Sequence, residues 1–187
     1  FAPLPLEPKF DLLFTGNMNY PPNIDSVVFL AEQVLPIVRK VRPETSLLIS
    51  GVDPSQAVRD LAKNDPLISV SGWVKDIRVS YATARIFAAP MQIGTGLQNK
   101  LLEAMAMRIP CVTSALANNA VGAPAGTAIL IGNSPEDYAE HILRLLNDPA
   151  ERQRVAESGY DFVRSHFDWD RAAQALDALV SDPRPVH

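Results

Sequence analysis

One segment of the sequence combines the residue types of a phosphate-binding site. An apolar run that ends at Pro90 leads into the turn Gly94-Thr95-Gly96, and a helical pattern follows with Lys100 and Glu103 in its first turns. Glycines let backbone N–H groups approach a ligand closely, and the dipole of a helix start favours negative charge. Lys100 adds a positive charge, and Glu103 can accept hydrogen bonds from sugar hydroxyls. The segment therefore indicates a nucleotide or nucleotide-sugar site.

Two plainer interpretations of this segment stay open. The glycine turn is also typical of an ordinary tight connection between a strand and a helix. Lys100 and Glu103 lie three positions apart on one helix face, so they could form a surface ion pair worth roughly a few tenths of a kcal/mol. Two known phosphate motifs are excluded, because no Ser or Thr follows Lys100 and because Asn99 replaces the third glycine of the dinucleotide motif.

Two further segments supply candidate ligand contacts. Gly16 and Asn17 directly follow the first predicted strand. The turn Gly72-Trp73-Val74 follows the third, where backbone groups could read a base edge and Trp73 could stack on a ring. The structural alternatives are a proline turn with a helix cap at Tyr20 to Asn23 and ordinary packing for Trp73.

The hydrophobic pattern predicts a scaffold in which these strand ends meet. Short, continuous apolar runs alternate with helical patterns, which is typical of parallel strands covered on both faces. We therefore predict an α/β fold, a Rossmann-like, doubly wound, mostly parallel six-stranded sheet. Ligands in such sheets bind beyond the carboxyl ends of the strands. The predicted strands are 12–15, 46–51, 67–72, 86–90, 110–113 and 128–132.

Local signals predict where several helices begin. Asn23 and Asp25 indicate the start of a helix that runs to about residue 40, with Pro36 as a kink. Asp76 is predicted to cap a short helix, and Asp168 to cap a last one that ends near residue 180.

Composition excludes several classes of protein. The chain has 187 residues, 47% of them hydrophobic, which suits the core of one domain. Its net charge of -4 is spread without a basic block, so nucleic-acid binding is not expected. The single cysteine, Cys111, is expected to be a buried strand residue, which fits an intracellular protein, and no metal-ligand cluster is evident. We predict a linker from a separate amino-terminal domain at residues 1–10, the domain at 11–180 and a tail at 181–187.

The run from Ala89 to Ser114 resembles the carboxyl-terminal domain of retaining GT-B glycosyltransferases of family 4, the glycosyl transferases group 1. Further segments agree in the same order and extend the resemblance over nearly all of residues 11–180. These are Phe14-Thr15-Gly16, Gly72-Trp73-Val74-Lys75-Asp76, Ala123-Pro124-Ala125-Gly126 and Phe167-Asp168-Trp169-Asp170. The forms Asn19…Pro22-Asn23-Ile24-Asp25 and Gln98-Asn99-Lys100 are similar to a bacterial subgroup associated with exopolysaccharide export.

The resemblance implies roles for the candidate residues, because in that family this domain binds the nucleotide-sugar donor. Glu103 matches the second Glu of the E-x7-E motif, whose carboxylate holds the ribose hydroxyls. Backbone N–H groups from Gly96 to Gln98 match the diphosphate cradle, and Gly72 to Val74 match the nucleobase pocket. No catalytic residue is assigned. The implied donor-binding residues are Gly16, Asn17, Gly72, Trp73, Val74, Thr95, Gly96, Leu97, Gln98, Asn99, Lys100 and Glu103.

The sequence departs from the family pattern in two places. Thr95 stands where the first Glu of the motif would fall, so the usual carboxylate contact to the donor sugar is missing. Asn17, Met18 and Asn19 follow the first strand, where many members place an Arg and a Lys in the cleft. We expect Lys100 to supply the diphosphate charge in their place.

The resemblance implies an enzyme that moves a sugar from a UDP- or GDP-linked donor to a glycan or lipid-linked acceptor. The reaction would retain the configuration at the anomeric carbon and would belong to surface polysaccharide synthesis. The acceptor would bind to the separate domain, so the isolated donor domain is expected to be inactive. No cofactor, metal ion or nucleic acid is expected. The expected location is the cytoplasm, with the inner face of the plasma membrane as an alternative. A nucleotide-sugar epimerase of GT-B fold and a degenerate domain retained for protein interaction stay open as other functions.

Overall fold

A six-stranded parallel sheet forms the centre of the protein. A computed structural model describes residues 1–93, 96–167 and 177. Its strands are β1 (Phe10–Thr15), β2 (Leu47–Ser50), β3 (Ile68–Gly72), β4 (Ala84–Ala89), β5 (Cys111–Thr113) and β6 (Leu130–Ile131). They lie in the order β3-β2-β1-β4-β5-β6, and each pairing between neighbours is parallel. The predicted Rossmann-like fold is confirmed, and the sheet is entirely parallel within the described residues.

The helices cover this sheet and connect its strands. In the described residues they are α1 (Pro21–Phe29), α2 (Leu35–Arg39), α3 (Gln56–Asn64), α4 (Ile77–Ala82), α5 (Asn99–Ala106), α6 (Ala115–Asn119), α7 (Pro135–Asn147) and α8 (Pro149–His166). Side-chain oxygens of Ser55, Asp76, Ser114, Ser134 and Asp148 cap α3, α4, α6, α7 and α8. The cap predicted at Asp76 is therefore confirmed, whereas the last predicted helix, from Asp168, lies outside the described residues.

The start of α1 differs from the prediction. The helix begins at Pro21, and its N-cap residue, Tyr20, makes no side-chain cap hydrogen bond. Prolines are favoured in a first helical turn, because the N–H groups they lack would have no helical partner there. Asn23, predicted with Asp25 to mark the helix start, instead lies inside the first turn and is only 6% exposed. Its side chain is therefore available for contacts other than capping.

A π-helical turn joins α1 to α2. It comprises Leu30–Val34 and comes directly before the segment that contains Pro36. Pro36 has no N–H to donate to the carbonyl four residues earlier, so a local widening of the helix at this point has a physical cause. The predicted interruption of the helix is confirmed.

The core lies on both faces of the sheet. Consecutive residues of β1, Leu12 to Phe14, are fully buried, which requires cover on both sides because neighbouring side chains of a strand point to opposite faces. Cys111 is buried in β5, and burial raises the pKa of its thiol, as expected of a structural cysteine. Residues 1–9 have no regular secondary structure, and the Lys9 N–H donates to the Thr83 carbonyl at 2.8 Å. Their role as a linker stays a prediction.

Candidate functional site

A cavity of about 540 Å³ opens at the carboxyl edge of the sheet. The strand order 3-2-1-4-5-6 reverses its direction between β1 and β4, and this reversal opens a crevice in doubly wound sheets. The cavity lies where such a crevice is expected, and segments that follow β1, β2, β3 and β4 all line it. Its lining residues are Thr15, Gly16, Asn17, Tyr20, Pro22, Asn23, Gly51, Val52, Trp73, Val74, Ile77, Met91, Leu97, Gln98, Asn99, Lys100 and Glu103.

Most of the predicted site residues meet in this cavity. Gly72 lies beside it, at the end of β3, and Gly96 precedes the lining segment at the start of α5. Thr95 lies outside the described residues. The predicted residues that line the cavity are Gly16, Asn17, Trp73, Val74, Leu97, Gln98, Asn99, Lys100 and Glu103.

Bare backbone forms one wall of the cavity. The Gly16 N–H donates to the Ser50 carbonyl at 3.1 Å, which holds the ends of β1 and β2 together. A Cβ atom at Gly51 would lie 1.7 Å from the Gly16 carbonyl oxygen, and one at Gly16 would lie 2.6 Å from Asn23 Nδ2. The two glycines are therefore required by the close approach of these strand ends.

The amino end of α5 presents backbone N–H groups to the cavity, although the Leu101 N–H already donates to the Gln98 carbonyl at 2.9 Å. The first N–H groups of any α-helix lack partners within the helix. The N-cap residue of α5, Gln98, makes no side-chain cap hydrogen bond, unlike the capping residues of α3, α4, α6, α7 and α8. Because Gln98 and Asn99 line the cavity, this uncapped helix end is suited to an anion.

Lys100 is a desolvated cation with neutral neighbours. Its Nζ donates to Asn23 Oδ1 at 2.5 Å and lies 4.5 Å from the centroid of the Phe14 ring. The sulfur of Met91 is 3.9 Å from the same nitrogen. Burial lowers the pKa of Lys100 to about 8, and the charge of Glu103 opposes that shift. The ammonium is therefore charged at neutral pH but poorly compensated.

Glu103 is held by a buried phenol. Its Oε2 accepts a hydrogen bond of 2.9 Å from the Tyr81 hydroxyl, which also lies 2.8 Å from Thr15 Oγ1. Burial raises the pKa of Glu103, whereas the bond from Tyr81 and the charge of Lys100 act in the opposite direction. Burial also raises the pKa of Tyr81 well above its usual value, so this phenol stays a donor.

The two charged groups of the cavity do not neutralise each other directly. Among the described residues, no ion pair within 4.0 Å joins Lys100 to Glu103. The plain interpretation as a surface ion pair is therefore wrong. Each group is anchored by a neutral side chain, Asn23 for the cation and Tyr81 for the carboxylate. The cavity can thus offer a positive charge to an anion and an acceptor to hydroxyl groups.

Several cavity residues were missed or misjudged from sequence. Tyr20 and Asn23 were interpreted as part of a turn with a cap, yet both line the cavity. Trp73 is 71% exposed at the cavity, so its interpretation as an ordinary packing residue is wrong. Tyr81 received no role, because nothing near it in the sequence marks a contact with Glu103, 22 residues later.

Comparison with known proteins identifies the family. The family model described as glycosyl transferases group 1 matches residues 9–148. The chain belongs to the glycosyl transferases group 1 family. This group 1 chain is 26% identical over 172 residues to an uncharacterized 44.6 kDa protein in the cps region of Klebsiella pneumoniae, covering 86% of the chain and 44% of that protein.

One further relative and two solved structures are also similar to the group 1 chain. A GDP-mannose-dependent monoacylated alpha-(1-6)-phosphatidylinositol monomannoside mannosyltransferase of Corynebacterium glutamicum is 28% identical over 166 residues, covering 81% of the chain and 43% of the enzyme. The crystal structure of TarM matches with a TM-score of 0.81 at 13% identity, over 97% of the chain and 37% of TarM. A TarM complex that contains UDP matches with a TM-score of 0.77 at 14% identity, over 97% of this chain and 38% of the TarM chain. The chain spans less than half the length of these proteins.

The described residues of the group 1 chain contain neither a candidate metal site nor a membrane-spanning helix. Within residues 1–93 and 96–167, no group of three or more His, Cys, Asp or Glu side chains could hold a metal ion. None of the helices in the same ranges is both long and apolar enough to cross a membrane.

Replacing Tyr81 by Phe tests the anchoring of Glu103. The substitution removes a buried hydroxyl that contacts both Glu103 and Thr15, so we expect the free energy of unfolding to fall by about 1–2 kcal/mol. Urea denaturation measures this change. Tyr160→Phe, on α8 and outside the cavity lining, is the matched control, and an equal effect of both substitutions would contradict the anchoring role.

Proposed function

We propose that this chain is the donor-binding domain of a retaining, family 4 glycosyltransferase of GT-B fold. Joined to an acceptor-binding domain, it would move a sugar from a UDP- or GDP-linked donor to a glycan or lipid-linked acceptor in surface polysaccharide synthesis. The observation that carries the proposal is the pair of separately anchored charges, Lys100 and Glu103, in one cavity at the reversal point of the sheet. A nucleoside diphosphate sugar has an anionic centre beside hydroxyl-rich groups. Lys100 suits the anionic centre, and Glu103 suits the hydroxyl groups.

We propose that each wall of the cavity contacts a different part of the donor. The diphosphate would lie at Lys100 Nζ and the uncapped N–H groups of α5, where cation and helix dipole act together. The ribose hydroxyls would donate to Glu103. The base would lie against Trp73 and Val74, because an exposed indole offers a stacking surface. Both UDP and GDP remain candidates, since TarM has been crystallised with UDP and the Corynebacterium relative is GDP-mannose-dependent.

These contacts would favour the departure of the nucleoside diphosphate. Negative charge grows on the leaving diphosphate as the bond to the sugar breaks, and a preorganised cation at that position stabilises the transition state more than the ground state. Lys100 would therefore contribute to the rate as well as to binding. The scheme requires no metal ion and no cofactor. The acceptor would come from the other domain, so the donor domain alone would catalyse no transfer.

The acceptor class also suggests where the enzyme works. The Corynebacterium relative acts on a phosphatidylinositol monomannoside, which is a lipid. We propose a cytoplasmic enzyme that meets its lipid-linked acceptor at the inner face of the plasma membrane through the acceptor-binding domain.

Calorimetric titration with UDP, GDP and their sugars tests the proposed function. Saturable binding of one nucleotide family, with one site per chain, is the expected result. Failure of all these ligands to bind would contradict it and favour a domain retained for protein interaction. ADP and its sugars provide the control for recognition of the base.

The affinity for the donor should depend on pH through Lys100. Its pKa of about 8 means that the cation loses its proton as the pH rises through this value, so the positive charge offered to the diphosphate disappears. We expect the dissociation constant to be nearly constant below pH 7 and to rise by about tenfold between pH 7 and 9.5. The same titration in the Lys100→Met variant corrects for ionisation of the nucleotide itself. Parallel pH profiles in the two proteins would contradict the role of Lys100.

A further inference from the structure

A buried amide holds the cavity's cation. Among the described lining residues, Lys100 is the only one with a cationic side chain. Its Nζ donates to Oδ1 of Asn23, which is 6% exposed. The other end of this amide, Nδ2, donates to the backbone carbonyl of Asn17 at 2.9 Å. An ammonium group can only donate and a carbonyl can only accept, so these two partners fix the orientation of the amide.

We propose that Asn23 is a positioning residue that aims Lys100 at the phosphates of the donor. The inference rests on the proposed function, because it assigns a ligand to the cavity. A free lysine side chain rotates about four bonds, and ordering it during binding costs affinity. Asn23 orders the chain beforehand, so that the ammonium is already in place when an anion arrives.

The neutrality of Asn23 is essential to this role. A carboxylate at the same distance would hold the ammonium as well, but it would also cancel the charge that an anionic ligand needs. The other groups that face Nζ are the Phe14 ring of β1 and the Met91 sulfur after β4. Glu103 of α5 is the charged group whose field acts on Lys100. None of these partners is a carboxylate in direct contact.

Asn23 also connects the cation to the loop after β1. Its bond to Asn17 ties this loop to the first turn of α1, and Gly16 leaves the space that the amide occupies. A Cβ atom at Gly16 would lie 2.6 Å from Asn23 Nδ2 and 3.3 Å from Lys100 Nζ. The glycine, the amide and the lysine therefore form one packed unit beneath the cavity.

The first test needs no ligand and follows the titration of Lys100 by NMR in protein with ¹³C-labelled lysine. Asn23→Asp should move the titration midpoint of Lys100 upward, because a carboxylate stabilises the ammonium. Asn23→Ala should move it downward, because the charged form loses its acceptor. If the titration midpoint of Lys100 is unchanged in both variants, the proposed contact between Asn23 and Lys100 is wrong. Thermal melting of each variant shows that the protein is folded.

The second test is a double-mutant cycle with the nucleotide diphosphate, UDP or GDP, that the protein binds. Asn23→Ala should weaken binding by about fivefold in the natural background. In the Lys100→Met background the same substitution should have no further effect, because Asn23 acts through Lys100. An equal loss in both backgrounds would overturn the positioning role and leave the proposed function intact. If the natural protein binds neither nucleotide, the proposed function fails and this inference fails with it, whereas the NMR result still decides whether Asn23 holds Lys100.

Discussion

Replacing Lys100 by Met should weaken binding of the nucleotide-sugar donor by tenfold to a hundredfold, while the fold becomes more stable. A charge-assisted hydrogen bond contributes about 1.5–3 kcal/mol, which corresponds to this loss of affinity. Methionine keeps the length and apolar stem of the side chain, so the packing against Phe14 is retained. Calorimetric titration of both proteins measures the change in affinity.

The gain in stability follows from the lowered pKa of Lys100. Burial depresses this pKa in the folded protein from 10.5 to about 8, so between these values the unfolded chain holds more protons and stability rises with pH. Below pH 8 the folded state bears the full cost of a desolvated charge. Lys100→Met removes this cost, and we expect about 1–3 kcal/mol of added stability at pH 7 that shrinks towards pH 10.5. Urea denaturation at pH 7 and pH 10 measures it.

Lys75→Met is the matched control for this substitution. Lys75 follows Val74 at the edge of the cavity but is exposed and is not part of the lining. Its replacement removes the same charge, yet it should change affinity less than twofold and stability by less than about 0.5 kcal/mol. If both variants lose affinity equally, the effect of Lys100 comes from net charge and not from a direct contact.

Replacing Gly51 by Ala should cause a large loss of stability. The new Cβ atom would lie 1.7 Å from the Gly16 carbonyl oxygen and 2.8 Å from its carbon, so the ends of β1 and β2 would have to separate. The φ angle of +152° at Gly51 adds backbone strain for any side chain. We expect the free energy of unfolding to fall by about 3 kcal/mol or more, as measured by urea denaturation.

Gly72→Ala separates steric overlap from backbone strain. Gly72 has a φ angle of +67°, but a Cβ atom there would meet no other atom within 4 Å. Its replacement should therefore cost only the strain of a left-handed residue, about 1–2 kcal/mol. If Gly51→Ala and Gly72→Ala lower the free energy of unfolding equally, the close contact between the strand ends does not contribute to the effect at Gly51.

The sheet and the place of the cavity could be predicted because both depend on local patterns. Continuous apolar runs predict buried parallel strands, and the carboxyl ends of such strands meet at one edge of the sheet. Gly16, Trp73 and Lys100 all follow such strands in the sequence, so they are predicted to lie close together. The structure confirms the six-stranded parallel sheet, and these three residues line one cavity.

The anchoring of the two charges could not be predicted, because it depends on contacts between distant parts of the chain. Asn23 and Lys100 are 77 residues apart, and Tyr81 and Thr15 are 66 residues apart. In sequence, Asn23 has the features of a helix cap, and only the helix start at Pro21 frees its side chain for Lys100. The spacing of Lys100 and Glu103 likewise suggests an ion pair, which the competing partners Asn23 and Tyr81 prevent.

The most direct test of the donor site is a crystal structure of the protein with its nucleotide diphosphate bound. We expect the diphosphate to accept hydrogen bonds from Lys100 Nζ and from the first N–H groups of α5, while the ribose hydroxyls donate to Glu103. A nucleotide bound elsewhere on the protein, or in this cavity with its diphosphate away from Lys100, would contradict it.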